Sequence, residues 1–347
     1  KNLFINPTAT IREGMKKLED TAEKCLLVVS ENKQLIGTVT DGDIRRGILK
    51  GLNFSEEIQS IYCKKPIKIL VGDFSKQKAK FILKDNYLSV LPVVNERGIV
   101  IDFVTWQKLG IDSQHEKDLS NVPVFIMAGG KGTRLKPFTD ILPKPLVPIE
   151  KDKTLIEKII TQFTDYGCKD FFISVNYKSK IIKAYFEELN PSYNIQFINE
   201  EKPLGTIGSL YLAKNQIDSP FFVSNCDILT TVNMHDFLRH HIKGAYLATV
   251  AACAKEEQIP YGVCKLADDG SLLKLEEKPK FEFLFNTGLY CFDPLIFDFI
   301  PPNIEFDTPC LLEKVIAASS NVGVFPLNFD SWIDYGLKTN LIRRSYL

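Results

Sequence analysis

The sequence predicts an α/β chain in which a mostly parallel, helix-wrapped sheet follows a smaller, duplicated α+β module. Three observations predict it. Beyond residue 121, apolar runs of strand length alternate with amphipathic runs of helical period. Before residue 112, one order of elements is repeated at a spacing of about 55 residues. Between the two parts lies DSQHEKDLSN, residues 112–121, polar and without apolar periodicity.

The first half of the duplicated module runs from Thr8 to Leu52. A helix in residues 9–20 leads to the strand KCLLVVS, a turn at Glu31–Asn32, the strand QLIGTVT and a second helix from TDGD. The second half runs from Pro66 to Gly110: a helix in KQKAKFILKDN, the strand LSVLPVVN, a turn at Glu96–Gly98, the strand GIVIDFVT and a closing WQKLG. Each half is too small to bury a core alone, so packing of the two sheets on each other is expected. Domain boundaries at 1–54, 55–115 and 121–347 follow.

In the larger part, VPVFIMAGG is an apolar strand ending in glycines. Thr154 and Glu157 form a capping box opening a helix with Leu155, Ile156, Ile159, Ile160 and Phe163 on one face and Gly167 as its stop. The strand FFISV, the helix KSKIIKAYFEELN before Pro191, the strand IQFINE, a helix from Ile207 and the strand FFVSN follow in turn. Residues 246–293 are richer in strands, with a hairpin turn at Asp269–Gly270. A last helix precedes the end of the sequence, and no β-helix or other appended domain is expected after it.

Composition narrows the functional classes. Over 347 residues, 43 basic and 43 acidic side chains give zero formal net charge, so no global field recruits nucleic acid or anionic lipid. No apolar run approaches the roughly 18 residues of a membrane span, and KNLFINPTAT lacks the features of a signal peptide, so a cytoplasmic protein is expected. The eight cysteines include no C-x-x-C pair, and buried reduced thiols are expected. His115, His235, His240 and His241 lack metal-site spacing, and the adjacent His240 and His241, which cannot share one helix face, read as structural or surface residues.

The most informative segment is Ala128-Gly129-Gly130-Lys131-Gly132-Thr133-Arg134-Leu135, directly after the first strand of the large domain, with Pro143-Lys144-Pro145-Leu146 beyond it. Glycines there let the backbone turn and bring its N–H groups against a ligand, and Arg134 and Lys144 add positive charge. The string is neither a G-x-x-x-x-G-K-[ST] phosphate loop nor a G-x-G-x-x-G dinucleotide turn.

Gly-Gly-x-Gly-Thr-Arg-Leu with Pro-Lys-Pro-Leu resembles the signature of the sugar-1-phosphate nucleotidyltransferases, and further motifs recur in order through residues 122–347. The resemblance implies a Rossmann-like sheet with its site at the strand ends. It implies a triphosphate cradle of Gly129, Gly130, Gly132 and Thr133, with Arg134 and Lys144 catalytic. Asp227, closing FFVSNCD, and Asp334, in WIDYG, match the two acids that hold Mg²⁺. Most relatives have Gly where Cys226 stands. Glu201, Gly205 and Thr206 fall in the segment similar to the nucleoside loop. Tyr261, Gly262, Glu277, Lys278 and Asn286 match sugar-phosphate positions. Taken without the resemblance, Asp227 is a plain helix cap, Trp332 a packing residue and the later motifs strand-end turns.

The resemblance implies in-line displacement, with a sugar phosphate oxygen attacking the α-phosphorus. PLGT followed by Gly208 is similar to mannose- and heptose-1-phosphate guanylyltransferases. Asn-Cys-Asp with an N-terminal module is similar to glucosamine-1-phosphate guanylyltransferases of legionaminic acid biosynthesis. GTP and glucosamine 1-phosphate are therefore expected, Glu277 or Glu276 favouring an ammonium. A GDP-mannose, GDP-heptose, UDP-sugar or dTDP-sugar enzyme is the alternative.

Residues 37–46, GTVTDGDIRR, resemble a CBS domain, and the duplication resembles a CBS pair (a Bateman module). Such pairs bind adenine nucleotides, and Thr40 and Asp43 match the ribose-contacting positions. In the second half Thr105 is followed by Lys108 instead of Asp, so a docking module without ligand is the competing reading. A homo-oligomer is expected. Two rival functions remain: a non-catalytic nucleotide-sensing regulator, which predicts loss of Arg134, Lys144, Asp227 or Asp334, and a phosphocholine cytidylyltransferase, against which the sugar-side motifs argue.

Overall fold

In the computed structural model, which describes residues 2–21, 23–86, 88–110, 118–150, 153–319, 321–328, 331–337 and 339, the two N-terminal halves share one topology. The first contains β1 (Phe4–Ile5), α1 (Ile11–Thr21), β2 (Cys25–Val29), β3 (Leu35–Thr40) and α2 (Asp41–Leu49). The second contains β4 (Ile69–Leu70), α3 (Lys76–Asp85), β5 (Val90–Val94) and β6 (Val100–Thr105). Each sheet has a short leading strand parallel to the central one, which pairs antiparallel with the third: β1-β2-β3 and β4-β5-β6. Both central strands are β-branched or leucine-rich and buried along their whole length, so each is covered on both faces. The halves meet through a backbone bridge between Gln34 and Ile99.

The repeat is imperfect at its end. The closing WQKLG is a single 3-10 turn, Gln107–Leu109, ended by Gly110 in the left-handed region. The polar seam at residues 112–117, with His115, lies outside the described residues.

The large sheet begins with β7 (Val124–Met127). Then come α4 (Phe138–Ile141), β8 (Pro148–Glu150), β9 (Lys153–Thr154), α5 (Leu155–Thr164), β10 (Asp170–Val175), α6 (Ser179–Leu189), β11 (Asn194–Asn199), β12 (Phe221–Asn225), β13 (Ile228–Thr230), α7 (Met234–Lys243) and β14 (Ala248–Gln258). A hairpin of β15 (Gly262–Leu266) and β16 (Leu272–Glu277) precedes β17 (Lys280–Phe292), α8 (Thr308–Ala317), β18 (Val322–Asn328) and β19 (Trp332–Asp334). Seven strands form the sheet in the order β11-β10-β7-β12-β17-β14-β18. The run β11-β10-β7-β12 is parallel, β17 is antiparallel to β12, and β18 is parallel to β14.

Alternation explains the burial. Val124 and Ile126 join one core with Phe163, Ile173 and Phe222, while Phe125 joins the other with Phe172, Phe221 and Val223. Both faces of the sheet are therefore dry, as a helix-covered parallel sheet requires. The Thr154–Glu157 capping box opens α5 with both reciprocal bonds present, and the five predicted apolar residues are buried. The helix predicted from Ile207 is only a 3-10 run, Gly208–Ala213. The amides of Ile207 and Gly208 both donate to Phe306 O, at 3.0 and 3.2 Å, so the first turn is held by a distant segment.

The chain divides into two compact units: Lys1–His115 with Glu256–Phe283, and Glu116–Lys255 with Leu284–Leu347. The β15–β16 hairpin thus groups with the N-terminal halves. All eight cysteines are free; Cys25, Cys168, Cys226, Cys253 and Cys291 are buried. Contrary to expectation Cys63, Cys264 and Cys310 are exposed. Cys264 sits on the two-stranded β15–β16 hairpin, whose strands are largely exposed, and Cys310 in the first turn of α8. His241 is buried on Thr249, and His240 packs on Tyr246 and Phe325, so both are structural as expected. Among the described residues no helix is long and apolar enough to cross a membrane.

Candidate active site

The registers of the parallel strands bring Met127, Ser174 and Asn225 level at the carboxyl ends of β7, β10 and β12. The loops that leave these ends must diverge, and a cleft of about 390 Å³ opens between them. Gly129, Gly130, Gly132, Thr133, Arg134, Lys144, Gly205, Thr206 and Asp227 all line it.

The glycines differ in why they are needed. Gly132 is left-handed (φ 63°), and a Cβ there would lie 2.8 Å from Lys144 Cβ and 3.0 Å from Thr139 Cγ2. Gly130 has nothing within 4 Å of that position and faces open cleft. A Cβ on Gly129 would run into the Glu200 carboxylate.

Asp227 follows β12 and is almost completely buried. Lys144, also largely buried, makes an ion pair with its Oδ2. Burial alone would pull the Lys144 ammonium down, but Cys226 and Asp227 overcome this and hold it above the ordinary lysine value. Burial pushes the Cys226 thiol up to about 11. The exposed Arg134 places Nη2 3.7 Å from the same Oδ2.

Asp334, more than a hundred residues further along, is delivered to this point by pairing. β13 and β19 form an antiparallel ladder with Ile228 opposite Asp334, and Tyr335 N donates to Asp227 O at 2.9 Å. Gly336 N donates to Asp334 Oδ1 at 2.6 Å. A Cβ on Gly336 would fall 2.7 Å from Asp334 Oδ1 and 3.2 Å from Arg134 Nη2, and closer still to Asp227 Oδ2. Two carboxylates and a guanidinium therefore surround one glycine. Burial first, and the Asp227 charge second, raise the Asp334 carboxyl above its usual range, against Gly336 N–H and the charges of Arg134 and Lys144.

Among the described residues no cluster of three or more His, Cys, Asp or Glu is placed to hold a metal. The two aspartates still suit Mg²⁺, which keeps several waters and takes one or two carboxylates together with phosphate oxygens. Their mutual repulsion is what a bound cation relieves.

Glu201 is exposed and does not line the cleft; its neighbour Glu200 does. Glu200 Oε2 accepts from Leu204 N at 3.3 Å, and burial raises its carboxyl despite that bond and those of Ser174 and Ser209. Gly205 is left-handed (φ 76°) because its backbone packs on Phe306, whose O lies 2.6 Å from the Cβ position. That contact alone excludes a side chain here. Thr206 N and Oγ1 both donate to Asp307 Oδ1, at 2.9 and 3.0 Å. Sequence reasoning missed Glu200, Glu305 and Asp307, all in the cleft wall. Only for Glu200 was there a signal: it follows β11, at the strand end where such sites form.

Asn286 hydrogen-bonds Tyr290 OH through Nδ2 (2.7 Å) and Gly288 N through Oδ1 (3.0 Å). Tyr261, Gly262, Glu277 and Lys278 come together at the base of the β15–β16 hairpin, in the first unit. Gly262 pairs with Glu277, whose Oε2 lies 3.1 Å from the Gly262 Cβ position, and Lys278 N donates to Tyr261 O at 3.2 Å.

In the N-terminal module, Thr40 caps α2 and shares a capping box with Asp43. Thr40 N and Oγ1 donate to Asp43 Oδ2, and Arg46 takes Oδ1. In the second half Lys108 Nζ bonds Asp102 Oδ1 and Phe103 O, both at 2.8 Å.

Comparison with known proteins gives the family. The family model "Nucleotidyl transferase" matches residues 123–346, and the CBS domain model matches residues 1–50. The chain is similar to a mannose-1-phosphate guanyltransferase of Pichia angusta, 35% identical over 54% of this chain and 55% of that one. It is 33% identical to the catalytic subunit beta of mannose-1-phosphate guanylyltransferase of Dictyostelium discoideum, over 61% and 60%. A UTP–glucose-1-phosphate uridylyltransferase of Synechocystis is 29% identical over 61% and 59%. The chain thus spans between half and two thirds of the length of these relatives. The crystal structure of HddC from Yersinia pseudotuberculosis shares the fold, with a TM-score of 0.52 and 24% identity over 65% of this chain and 98% of that one.

Proposed function

The chain belongs to the nucleotidyl transferase family, and from that premise we propose that it transfers the guanylyl group of GTP to a sugar 1-phosphate, glucosamine 1-phosphate in first place, and releases pyrophosphate. The observation that carries the reading is the gathering of Lys144, Asp227, Asp334 and Arg134 around Gly336 beside the glycine loop.

A sugar phosphate oxygen forms a bond to the α-phosphorus as the bond from that phosphorus to the bridging oxygen of pyrophosphate breaks. The attacking phosphate is already anionic, so no side chain has to remove a proton. Alignment and charge stabilisation are the protein's contribution. Asp227 and Asp334 would hold Mg²⁺, which supplies positive charge to the phosphate oxygens. Arg134, exposed in the cleft wall, neutralises the departing pyrophosphate. Lys144, fixed by Asp227, offers its ammonium to the α-phosphate, and Lys278 pairs with the sugar phosphate. The backbone of Gly130 leaves room for the triphosphate.

Glu200 favours guanine. A carboxylate presents two acceptors side by side, and guanine presents two adjacent donors, N1–H and N2–H₂. Uracil and thymine present a single N–H flanked by carbonyls. The guanyltransferase relatives support the same donor; the Synechocystis relative keeps UTP as its competitor. On the sugar side Glu276 is occupied by Lys265 and Lys274, at 3.1 and 2.6 Å, which leaves Glu277 as the acid to meet a sugar ammonium or hydroxyl. Mannose and heptose 1-phosphates remain the competing acceptors. The deciding experiment is pyrophosphate release from each of GTP, UTP, dTTP and ATP against a panel of these sugar phosphates. No release with GTP and any sugar phosphate would refute the reading.

For the N-terminal module we propose an adenine nucleotide as ligand, contacted by Thr40 and Asp43. Arg46 must then release Asp43 Oδ1 or share it. Calorimetry of the full chain with AMP and ATP tests this, and silence with both favours docking without ligand.

A further inference from the structure

The two strands that flank the sugar-side hairpin are gripped by one arginine of the N-terminal module. Arg12, in α1, places Nη2 3.0 Å from Glu256 Oε2 in β14 and 3.0 Å from Glu282 Oε1 in β17. The carboxylates are completed on their other oxygens. Glu282 Oε2 accepts from Phe54 N at 2.8 Å, and Glu256 Oε1 pairs with Lys280 Nζ at 3.0 Å. Arg12 is fixed in turn: its own N donates to Phe54 O at 3.0 Å, and its guanidinium lies 5.8 Å from the centre of the Phe54 ring. Four charges and one backbone amide make a closed network, all within the first unit.

From this network a ladder of bonds reaches the sugar-side residues. Gln258, two positions past Glu256, donates through Nε2 to Lys278 O at 3.2 Å. Ile259 N donates to Pro279 O at 3.0 Å, and Lys278 N to Tyr261 O at 3.2 Å. Lys278 itself is left-handed (φ 48°), a conformation a lysine keeps only when its neighbours fix it. A two-stranded hairpin is marginal alone, so the base that holds it sets where Tyr261, Glu277 and Lys278 stand.

We propose that Arg12 is a positioning residue for sugar 1-phosphate binding, acting through Glu256 and Glu282 on the hairpin base. The N-terminal module thereby controls acceptor affinity and not donor affinity. This rests on the sugar-side assignment of the hairpin. An ion-pair network of this exposure contributes little to global stability; its value lies in geometry.

The test uses the full chain. Arg12→Ala is expected to raise KM for the sugar 1-phosphate about threefold to fivefold, the range open to a partly exposed pair, with KM for the triphosphate unchanged. Hydrogen exchange should quicken in residues 259–279, and Arg12→Lys should recover part of both effects. Unchanged constants with unchanged exchange, or a parallel rise in both KM values, would overturn the proposal; a parallel rise marks general loosening. A wild-type chain inert toward every sugar 1-phosphate defeats the functional reading instead, and the exchange comparison then decides the clamp alone.

Discussion

Lys144 and Asp227, 83 positions apart in the chain, form a buried ion pair on the cleft floor, and Asp334 is held beside it by the ladder that sets Ile228 opposite Asp334. Asp227 serves two cations in the proposed reaction, the ammonium and the metal. Asp227→Asn keeps the shape and loses the charge. Turnover is expected to fall at least about a hundredfold while the folded-state circular dichroism stays unchanged. Near-normal turnover would remove the metal role from Asp227.

Glu200 should decide the donor base. Replacing it by Gln keeps one acceptor and introduces a donor against guanine's own donors. The kcat/KM for GTP is expected to fall about a hundredfold, the loss of a charge-assisted pair at a half-buried carboxylate, with UTP hardly affected. Equal losses for both triphosphates would assign Glu200 to the scaffold of the loop instead.

The same pair of glutamates shows where sequence reading stops. Glu200 and Glu201 are chemically identical neighbours, and which one faces the cleft depends on a one-residue parity at the end of β11. Aspartates 227 and 334 were singled out because each sits in a short motif that resembles the family signature. The β13–β19 pairing that joins them was not legible. α5 was legible because its cap and its apolar face are local. The 3-10 run after Ile207 was not, because Phe306 O, a hundred residues away, takes the amides that would have met a ligand or water. Local chemistry is written in the sequence; long-range claims on a backbone group are not.

Stability should depend on pH through His241. It is 2% exposed, with Nδ1 2.8 Å from Thr249 Oγ1. Burial pushes its imidazole down to about 4 from an ordinary 6.5; Asp293 opposes the shift and His240 adds to it. The folded-state value is depressed, so the unfolded chain takes the proton first. The contribution is whole above 6.5 and is lost as pH falls from 6.5 through 4, about 3 kcal/mol in all. Thermal melts across that range should show a steeper fall for the wild type than for His241→Gln. Parallel profiles would refute the assignment.

The glycine loop separates backbone need from ligand need. Gly132→Ala puts a methyl group into a left-handed position, 2.8 Å from Lys144 Cβ. A loss of about 1–3 kcal/mol in stability is expected, with kcat reduced as Lys144 is pushed off Asp227. Gly130→Ala meets nothing within 4 Å, so its melting temperature should match the wild type. Its methyl group enters only the space assigned to the triphosphate, and KM for GTP should rise with KM for the sugar 1-phosphate unchanged. If Gly130→Ala binds GTP as the wild type does, the triphosphate does not lie over this loop.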